Sequence, residues 1–479
     1  MTIDLTAGRQ LATASTDLSA AGELASAGFA IHLPGDPGYD EARLAWNLAV
    51  DQRPAAVAEP QSAHDVSRLV RLATEHGLRV APQSTGHNAA PLAQRGLDDV
   101  VLAKLSALAE VSIDPARRIA RVGGGAIWDG CVTAAAAHGL AALHGSSPDV
   151  GIAGYSLGGG LGWYGRALGL AANHVTAAEI VIGDGTIVRT DAEHDPELLW
   201  ALRGGGGSFG VVTALEFSLF DITTAYAGMM IFDIGRAEEV LRCWAPWAAA
   251  APDEVTTAFR ILHLPPLPEL PPFLSGRSVV VIDGAVLASD DAADRILAEL
   301  RALRPEMDTF LRVPAPALTR LHLDPEGSAA AVGGSTMLAG LPEAGIEAFL
   351  TVAADRSTTS LMVAELRQLG GALARPAAGG GAVSHLDGQF LAFGTGMAFS
   401  QEMALQVGAD VAAFTGALTP WTGGRSYLNF TESAVDPRRA YDEVTWRQLT
   451  GIRSAVDPQG VFAANHPVPR LFEDGRPTC

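Results

Sequence analysis

The residues best suited to chemistry lie in and around one glycine-rich stretch of the 479-residue chain. Six glycines occur in the twelve residues from Gly151 to Gly162, although glycine loses the most backbone entropy on ordering. Such a run suits a backbone that must lie close to a ligand and offer bare N–H groups to oxygen-rich groups such as phosphates. A flexible surface loop is the alternative, but a solvated linker would carry Ser, Glu or Lys between its glycines. The interleaved residues are instead Val150, Ile152, Leu157, Leu161 and Trp163.

The composition excludes several function classes. With 48% hydrophobic and 18% charged residues the chain is globular, and its length predicts two or three domains. The formal net charge of −20 argues against nucleic acid and anionic membrane as partners, because neutralising phosphate requires Lys and Arg. No apolar run reaches the roughly 18–20 residues that span a bilayer. The three cysteines have no metal-ligand spacing, and the N-terminus has no basic patch before an apolar core; we therefore expect a cytoplasmic protein without a secretory signal.

Helices, strands and glycine-rich loops alternate between residues 53 and 220, which predicts one α+β unit around the glycine-rich stretch. Its first helix has a clear start, because Ser62 is a suitable N-cap and Asp65 follows three residues later. A strand at 79–82 leads into the polar loop 83–88, Q-S-T-G-H-N. The other predicted elements of this unit are an extended piece at 53–60, strands at 99–103, 118–122 and 211–220, a β-hairpin of 177–182 and 186–190, and helices at 127–138 and 196–202.

Beyond about residue 221 the glycine clusters become sparse, and the pattern is typical of an antiparallel sheet backed by helices. We expect a first domain at 1–220 with its core at 53–220, a second domain at 221–424, and a segment at 425–479 that returns to the first domain. The further predicted elements are strands at 225–232, 256–264, 277–287 and 389–398, helices at 18–29, 235–249, 290–303, 345–355, 402–417 and 438–455, and a proline-rich loop or extended edge at 265–276.

Three separated blocks of the sequence resemble one family. The blocks are residues 54–88, ending in T-G-H-N; S-P-D-V-G at 147–151 with G-G-G at 158–160 and L-W-A-L-R-G-G-G-G-S-F-G-V-V-T at 199–213; and Y-L-N-F at 427–430 with D-P at 457–458 and N-H-P at 465–467. In order and spacing they resemble the FAD-linked oxidases of the vanillyl-alcohol-oxidase superfamily, in the berberine-bridge-enzyme-like branch. The pattern is most similar to the 6-hydroxynicotine-oxidase-like members. The middle of the chain, about 225–420, matches only in general style.

The resemblance implies an α+β fold and FAD as the cofactor. The fold would be a PCMH-type FAD-binding domain of two α/β subdomains, followed by a substrate domain with an antiparallel sheet. In the family a histidine at the position of His87 is bonded through its ring to the 8α carbon of the flavin, and a neutral imidazole nitrogen is a competent nucleophile for that carbon. Many members carry a second tether, a cysteine at the position of Ser147. A serine hydroxyl is not a plausible partner for the flavin, so we predict a single covalent link; the alternative is a noncovalent flavin beside an ordinary loop histidine.

The resemblance also implies a set of cofactor-binding residues. Backbone N–H groups of 149–155 should hold the pyrophosphate and ribityl chain, and the carboxylate of Asp149 should turn away or bond backbone donors. Residues 210–212 should flank the adenine, and residues 465 and 466 should approach the isoalloxazine. The predicted cofactor-binding residues are Ser84, Thr85, Gly86, His87, Asn88, Ser147, Val150, Gly151, Ala153, Gly154, Tyr155, Gly158, Gly159, Gly162, Gly210, Val211, Val212, Asn465 and His466.

The best catalytic candidates are Tyr427 and Asn429. A short strand at 427–430 would place both side chains on the same side. In relatives the tyrosine of this Y-x-N pattern lies over the flavin and acts as a base or a hydrogen-bond partner of the substrate, and Asn429 would bond the flavin or fix the tyrosine. To act as a base, a phenol with a usual pKa near 10 must have that pKa lowered, or transfer its proton in concert with hydride loss. Tyr427 as a packing aromatic is the alternative, and His385 and Tyr155 are weaker candidates for polar groups near the substrate.

The predicted reaction is an oxidation. Hydride would pass from a small or medium alcohol, amine or phenol-like metabolite to FAD, which O2 would reoxidise to give hydrogen peroxide. The substrate would lie between the flavin and the sheet of the second domain. Alternatives are an FAD-dependent dehydrogenase with another acceptor, a secondary-metabolite tailoring flavoenzyme and a noncatalytic flavin-binding protein. A nicotinamide dehydrogenase using the glycines of 204–210 is disfavoured, because a helix precedes and a strand follows them, the reverse of the order that dinucleotide binding requires.

Overall fold

Three β-sheets organise the computed structural model, which describes residues 28–266, 268, 272–423 and 425–471. The strands of the first two sheets all lie before about residue 220, and those of the third, the largest, lie after it. The helix predicted at 18–29 falls almost entirely outside the described residues. None of the described helices combines the length and hydropathy that crossing a bilayer requires.

The first sheet is mainly parallel and lies beside a helix that joins it to the second sheet. The helix at Ala63–Glu75 begins as predicted, because Ser62 Oγ accepts a hydrogen bond from the backbone N of Asp65 at 3.2 Å. Its apolar face packs against both sheets. The elements of this layer are β1 (Ala30–His32), β2 (Ala56–Glu59), β3 (Arg79–Gln83) and β4 (Val100–Lys104), with helices α1 (Tyr39–Ala42), α2 (Ala63–Glu75) and α3 (Ala90–Ala93). The strand order is β1-β2-β4-β3, and only β1 is antiparallel to its neighbour.

The second sheet is antiparallel and includes the predicted hairpin. The elements here are β5 (Val111–Asp114), β6 (Ile119–Gly123), β7 (Val175–Val181), β8 (Ile187–Asp191) and β9 (Val211–Ser218), with helices α4 (Trp128–Ala136), α5 (Ile152–Leu157), α6 (Gly165–Leu168) and α7 (Pro196–Leu202). The order is β5-β6-β9-β7-β8. Strand β5 was not predicted. The glycine-rich stretch contains α5 and is followed directly by α6. Both helices lie between the second sheet and the rest of the chain.

The third sheet has eight antiparallel strands with four helices on one face, as expected for the second half of the chain. Its elements are β10 (Thr224–Asp233), β11 (Val255–His263), β12 (Ser278–Val286), β13 (Met307–Asp308), β14 (Leu311–Pro314), β15 (Ala331–Leu338), β16 (Val363–Gln368) and β17 (Phe390–Met397), with helices α8 (Ala237–Ala250), α9 (Asp290–Ala302), α10 (Glu343–Ala353) and α11 (Gln401–Leu418). Large side chains such as Trp244, Phe259, Phe349 and Phe414 fill the space between sheet and helices. The opposite face of the sheet lies toward α5 and α6.

The last part of the chain returns to the first sheet. After α12 (Glu443–Val456), the backbone N of Val80 on β3 donates to the carbonyl of Val461 at 2.7 Å, and Phe462 pairs with Val80 in a parallel bridge. The strand predicted at 427–430 is wrong. Leu428–Phe430 form a turn of 3₁₀-helix, because Phe430 N bonds the carbonyl of Tyr427 within the segment at 3.1 Å instead of pairing with a neighbouring strand.

Candidate active site

The polar loop after β3 lies directly against the N-terminus of α5. Gly86 has a φ of +87°, and a Cβ there would lie 2.9 Å from Ala45 Cβ, so only glycine suits the position. A Cβ on Gly151 would lie 2.4 Å from Ser84 Oγ and 3.4 Å from Thr85 Oγ1. Two of the blocks that the resemblance singled out are therefore in contact through their smallest residues.

His87 is held in this loop by three neighbours. Its Nδ1 lies 2.8 Å from Thr85 Oγ1, and its ring stacks on Trp46 with centroids 4.0 Å apart and an interplanar angle of 17°. Its Nε2 lies 3.7 Å from Asp149 Oδ1 and finds no hydrogen-bond partner within the described part of the chain. The imidazole is thus oriented by Thr85 at Nδ1, by the stacked Trp46 ring on one face, and by the nearby carboxylate of Asp149 on the side of Nε2. The sequence analysis missed Trp46, since a tryptophan in an irregular segment carries no local signal of its role.

Asp149 lies at the meeting point of four chain segments. Its Oδ2 accepts hydrogen bonds from Trp46 Nε1 at 2.7 Å and from the backbone N of Gly327 at 3.1 Å, and its Oδ1 accepts one from Ser147 Oγ at 2.8 Å. Partial burial raises the pKa of the Asp149 carboxyl, but the neighbouring His87 ring and hydrogen bonds from Ser147, Trp46 and Gly327 outweigh it and hold that pKa well below its usual range. The group is therefore an anion at neutral pH.

Helix α5 presents free backbone donors beside this cluster. Its first-turn N–H groups, those of Ala153 and Gly154, lack an intrahelical acceptor, as in any helix. Gly151 is the N-cap, and the carbonyl of Val150 before it accepts from Trp128 N at 3.1 Å, which anchors the turn. The arrangement fits the expected role of 149–155 as a backbone site for phosphate or ribityl oxygens.

The glycines after α5 are packed against the C-terminal segment. A Cβ on Gly158 would lie 1.8 Å from Asn429 Oδ1, and one on Gly159, whose φ is +127°, would lie 2.9 Å from the Tyr427 ring. A Cβ on Gly162 would lie 1.9 Å from the carbonyl of His144. These glycines are thus required by the close approach of Tyr427 and Asn429 and of the local backbone.

Tyr427 and Asn429 meet although they do not share a strand face. Asn429 Nδ2 donates to the backbone oxygen of Tyr155 at 2.8 Å and lies 3.4 Å from Tyr427 Oη. Tyr427 is 3% exposed, and its burial raises the pKa of the phenol far above its usual value, outweighing the lowering effects of Asn429, Gly160 and Arg367. The pKa depression that a resident base would need is absent, so the structure favours a phenol that donates a hydrogen bond.

The tail residues reach the His87 loop. Asn465 Nδ2 donates to the carbonyl of Asn88 at 3.3 Å, and Asn88 Nδ2 donates to the carbonyl of Leu428 at 3.1 Å. His466 Nε2 lies 3.1 Å from the carbonyl of Thr431, and burial lowers the pKa of His466 to about 4, so its ring is neutral at pH 7. The His87 loop, residues 465 and 466, and the 427–431 turn therefore lie together on one side of the site.

The residues predicted to flank an adenine lie deeper in the fold. Val211 and Val212 begin β9 and have buried side chains that pack in the cores of the first two sheets. At Gly210 a Cβ would lie 2.5 Å from the carbonyl of Val181. Only the backbone of this stretch can face a ligand. His385, a weaker candidate, lines a cavity of about 340 Å³ together with Gly158 and Tyr427, and its Nε2 lies 2.9 Å from Asp387 Oδ1.

Buried polar atoms without partners mark the place where a polar ligand fits. An unpaired buried polar group costs about 1–3 kcal/mol, so native structures rarely keep them without a reason. Within the described residues, five such atoms belong to predicted cofactor-binding residues of distant segments: Ser84 Oγ, His87 Nε2, Asn88 Oδ1, Tyr155 Oη and His466 Nδ1. Donors and acceptors of this kind suit a flavin, whose ring and ribityl chain carry both.

A row of charged residues on the third sheet was not predicted, and we call it the charged wall. His322 Nδ1 lies 2.7 Å from Asp283 Oδ2, which also accepts from Arg260 Nη1 at 3.0 Å; Arg367 Nε lies 2.9 Å from Glu365 Oε1. The wall consists of Arg260, Asp283, His322, Glu365 and Arg367. It faces the glycine-rich stretch, because the His322 and Trp163 rings lie 4.7 Å apart and Arg367 Nη2 lies 3.4 Å from Ser146 Oγ. Only β16, with Glu365 and Arg367 two residues apart, carries an alternating pattern that could have indicated part of this wall.

Comparison with known proteins identifies an FAD-binding domain within the first half of the chain. Residues 54–191 match a family model described as an FAD binding domain. The chain is 38% identical over 189 residues to (R)-6-hydroxynicotine oxidase of Paenarthrobacter nicotinovorans, a match covering 40% of this chain and 41% of that protein. It is 34% identical over 207 residues to glucooligosaccharide oxidase of Sarocladium strictum, covering 42% and 41%. The matched segments thus span about two fifths of these curated relatives.

Comparison of structures extends over the whole fold. BBE-like 1 of Physcomitrella patens superposes with a TM-score of 0.82 at 22% identity, covering 95% of this chain and all of the other. The 6-hydroxy-D-nicotine oxidase of Arthrobacter nicotinovorans gives a TM-score of 0.77 at 24% identity, covering 91% and 96%. At these identities the likeness shows the fold, while the sequence matches show the FAD-binding domain. Residues 54–191 therefore form an FAD-binding domain by sequence, and the chain as a whole has the fold of these BBE-like and 6-hydroxy-D-nicotine oxidase structures.

Proposed function

We propose that this protein is an oxidase that holds FAD through a single covalent bond to His87 and oxidises a small polar metabolite. The observation that carries the proposal is the convergence of His87, the α5 N-terminus and the 427–431 turn, with unpaired buried polar atoms on each side. FAD, when bound, would accept a hydride from the substrate and pass two electrons to O2, giving hydrogen peroxide.

Different residues of the chain would hold different parts of the cofactor. The backbone donors of Ala153 and Gly154 would bind phosphate or ribityl oxygens, and Ser84 Oγ and Asn88 Oδ1 would pair with further polar atoms. Ser147 stands where many relatives have a second, cysteine tether. Its hydroxyl donates to Asp149 at 2.8 Å, which supports a single link.

Substrate would be bound between the glycine-rich stretch and the charged wall. Tyr427, with its raised pKa, would donate a hydrogen bond to a substrate oxygen or nitrogen, and Asn429 would fix the phenol. The proton released on oxidation would be accepted by a carboxylate of the charged wall, either directly or relayed through the Tyr427 hydroxyl; Asp283 is ionised there, because His322 and Arg260 face it and lower its pKa despite its burial. A wall of paired charges favours substrates that carry hydroxyl or amine groups, such as alcohols, amines or phenols.

The first test asks whether the flavin is tethered. Acid precipitation of the purified protein should leave yellow colour in the pellet, and the peptide containing His87 should carry the mass of FAD. A His87→Ala variant should release all flavin to the supernatant, whereas the exposed-site control His138→Ala should behave as wild type. Complete release from the wild-type protein would refute the covalent link, and a colourless protein would refute the cofactor.

The second test asks what accepts the electrons. Oxygen consumption and peroxide formation should be measured against a panel of alcohols, amines, phenols and oligosaccharides. Turnover with O2 supports the oxidase. Turnover only with an artificial dye would favour a dehydrogenase, and a yellow protein without turnover on any substrate would favour a binding protein.

A further inference from the structure

The carboxylate of Asp149 lies beside the His87 ring, and hydrogen bonds to both of its oxygens fix its position. Its Oδ1 lies 3.7 Å from His87 Nε2, while Ser147 Oγ of its own segment and two donors of distant segments, Trp46 Nε1 and Gly327 N, fix both of its oxygens. Trp46 contacts both groups, because its indole N–H donates to Asp149 and its ring stacks on the imidazole with centroids 4.0 Å apart. The carboxylate and the ring are therefore held in a fixed mutual position.

Attachment of a flavin changes the charge of the imidazole. When one ring nitrogen of neutral His87 forms a bond to the methyl carbon, the ring becomes a cation until the proton on its other nitrogen leaves. A carboxylate a few ångströms away stabilises that cation, and an indole stacked on the ring does so as well. The balance would be closed by O2: one proton would leave the ring nitrogen and one the methyl carbon, and the two electrons of the broken C–H bond would pass to O2, which with two protons gives hydrogen peroxide.

We propose that Asp149 is the positioning residue for covalent flavin attachment, orienting the His87 ring and stabilising the positive charge that it gains. The inference rests on the proposed tether at His87. It goes beyond that tether because it names a residue that never bonds the flavin. It also gives a reason for an acid beside a backbone site for phosphate: the donors of Trp46, Ser147 and Gly327 direct the carboxylate to His87 rather than to the α5 N-terminus.

The competing explanation is that Asp149 only fastens residues 46, 147 and 327 together. The two roles predict changes in different measured quantities. A fastening role would change stability and flavin affinity, whereas a positioning role changes the rate at which bound flavin becomes covalent. The experiment must therefore measure attachment separately from binding.

The test compares wild type with Asp149→Asn and with Asp291→Asn, an exposed control on α9. Each protein is produced without flavin in a riboflavin-starved riboflavin auxotroph, then receives FAD in air, and acid-precipitated samples are followed over time for covalent flavin. Noncovalent FAD affinity and urea stability are measured in parallel. We expect attachment in Asp149→Asn to be roughly 10- to 100-fold slower, since an opposite charge at this range shifts a proton or charge equilibrium by about one to two powers of ten. FAD binding should change far less, and Asp149→Glu should recover part of the rate.

Each outcome decides between the explanations. Equal attachment rates in wild type and Asp149→Asn would overturn the inference while leaving the tether intact, and a wild-type protein without covalent flavin would overturn both. Should Asp149→Asn fail to fold, Trp46→Phe keeps the aromatic stack and removes the indole N–H that fixes the carboxylate. Its attachment should be several-fold slower, and an unchanged rate would overturn the inference.

Discussion

Arg166 on α6 joins the glycine-rich stretch to the third sheet, and replacing it gives the strongest expected loss of stability. Its guanidinium is buried and donates to the carbonyls of Val255 and Ala251 at 2.7 Å, of Pro252 at 3.2 Å, and of Leu369. At about 1 kcal/mol net for each of the four bonds, Arg166→Met should lower the free energy of unfolding by roughly 4 kcal/mol. Methionine fills most of the volume, so the loss reports the hydrogen bonds rather than a cavity.

The assay is urea unfolding followed by tryptophan fluorescence at pH 7. Arg166→Lys, which keeps the charge and loses the planar fork of donors, should fall about halfway, near 2 kcal/mol. Arg295→Met, an exposed arginine on α9, is the matched control and should stay within about 0.5 kcal/mol of wild type. Because Arg166 fixes the sheet over the glycine-rich stretch, Arg166→Met should also retain less flavin. A loss below about 1 kcal/mol, equal to that of the control, would refute the role assigned to the buried guanidinium.

Three further predictions follow from single residues. Tyr427→Phe should lower kcat by about 10-fold with little change in stability, since one hydrogen bond to the substrate is lost; unchanged kcat on a substrate found by the oxygen screen would contradict this. Burial raises the pKa of Glu432 from 4.5 to about 7, so between those values the folded state binds more protons than the unfolded chain and stability falls as pH rises. Glu432→Gln should therefore be more stable than wild type by about 3 kcal/mol at pH 8 and equal to it at pH 4, as urea titrations at both pH values would show. Arg304, just after α9, has a φ of +53°, and Arg304→Gly should raise the melting temperature through a gain of about 0.5–1 kcal/mol; a lower melting temperature would count against backbone strain there.

Local sequence signals predicted most helices and the apolar strands. The helix predicted at 196–202 matches Pro196–Leu202, because proline suits its first turn. Strands β15 and β16 were missed for physical reasons. β15 reads A-V-G-G-S-T-M-L, and its two glycines resemble a loop, while β16 reads V-A-E-L-R-Q and is rich in helix-forming residues. β15 and β16 each pair with β17, one along each of its edges. This tertiary pairing overrides the local preferences of both sequences.

The candidate site shows the same division. The His87 loop and the glycines could be singled out because each carries an unusual residue type for its local pattern. The contacts of His87 with Trp46 and Asp149, and the charged wall, could not, because a buried charge is favourable only beside a partner that folding brings from a distant segment. Residues 427–430 were predicted as a strand but form a 3₁₀ turn. The side chains of Tyr427 and Asn429 meet through this turn rather than on one strand face.

The return of the tail to β3 sets the order in which the site can be built. Asn465 donates a hydrogen bond to Asn88 across 377 positions, and Val461 pairs with Val80, so the surroundings of His87 form only once residues up to 465 have been synthesised. A nascent chain that still lacks residues 461–465 cannot offer a finished pocket. Cofactor loading therefore has to follow synthesis of this segment, and a product that ended before it would leave the ribosome without its prosthetic group.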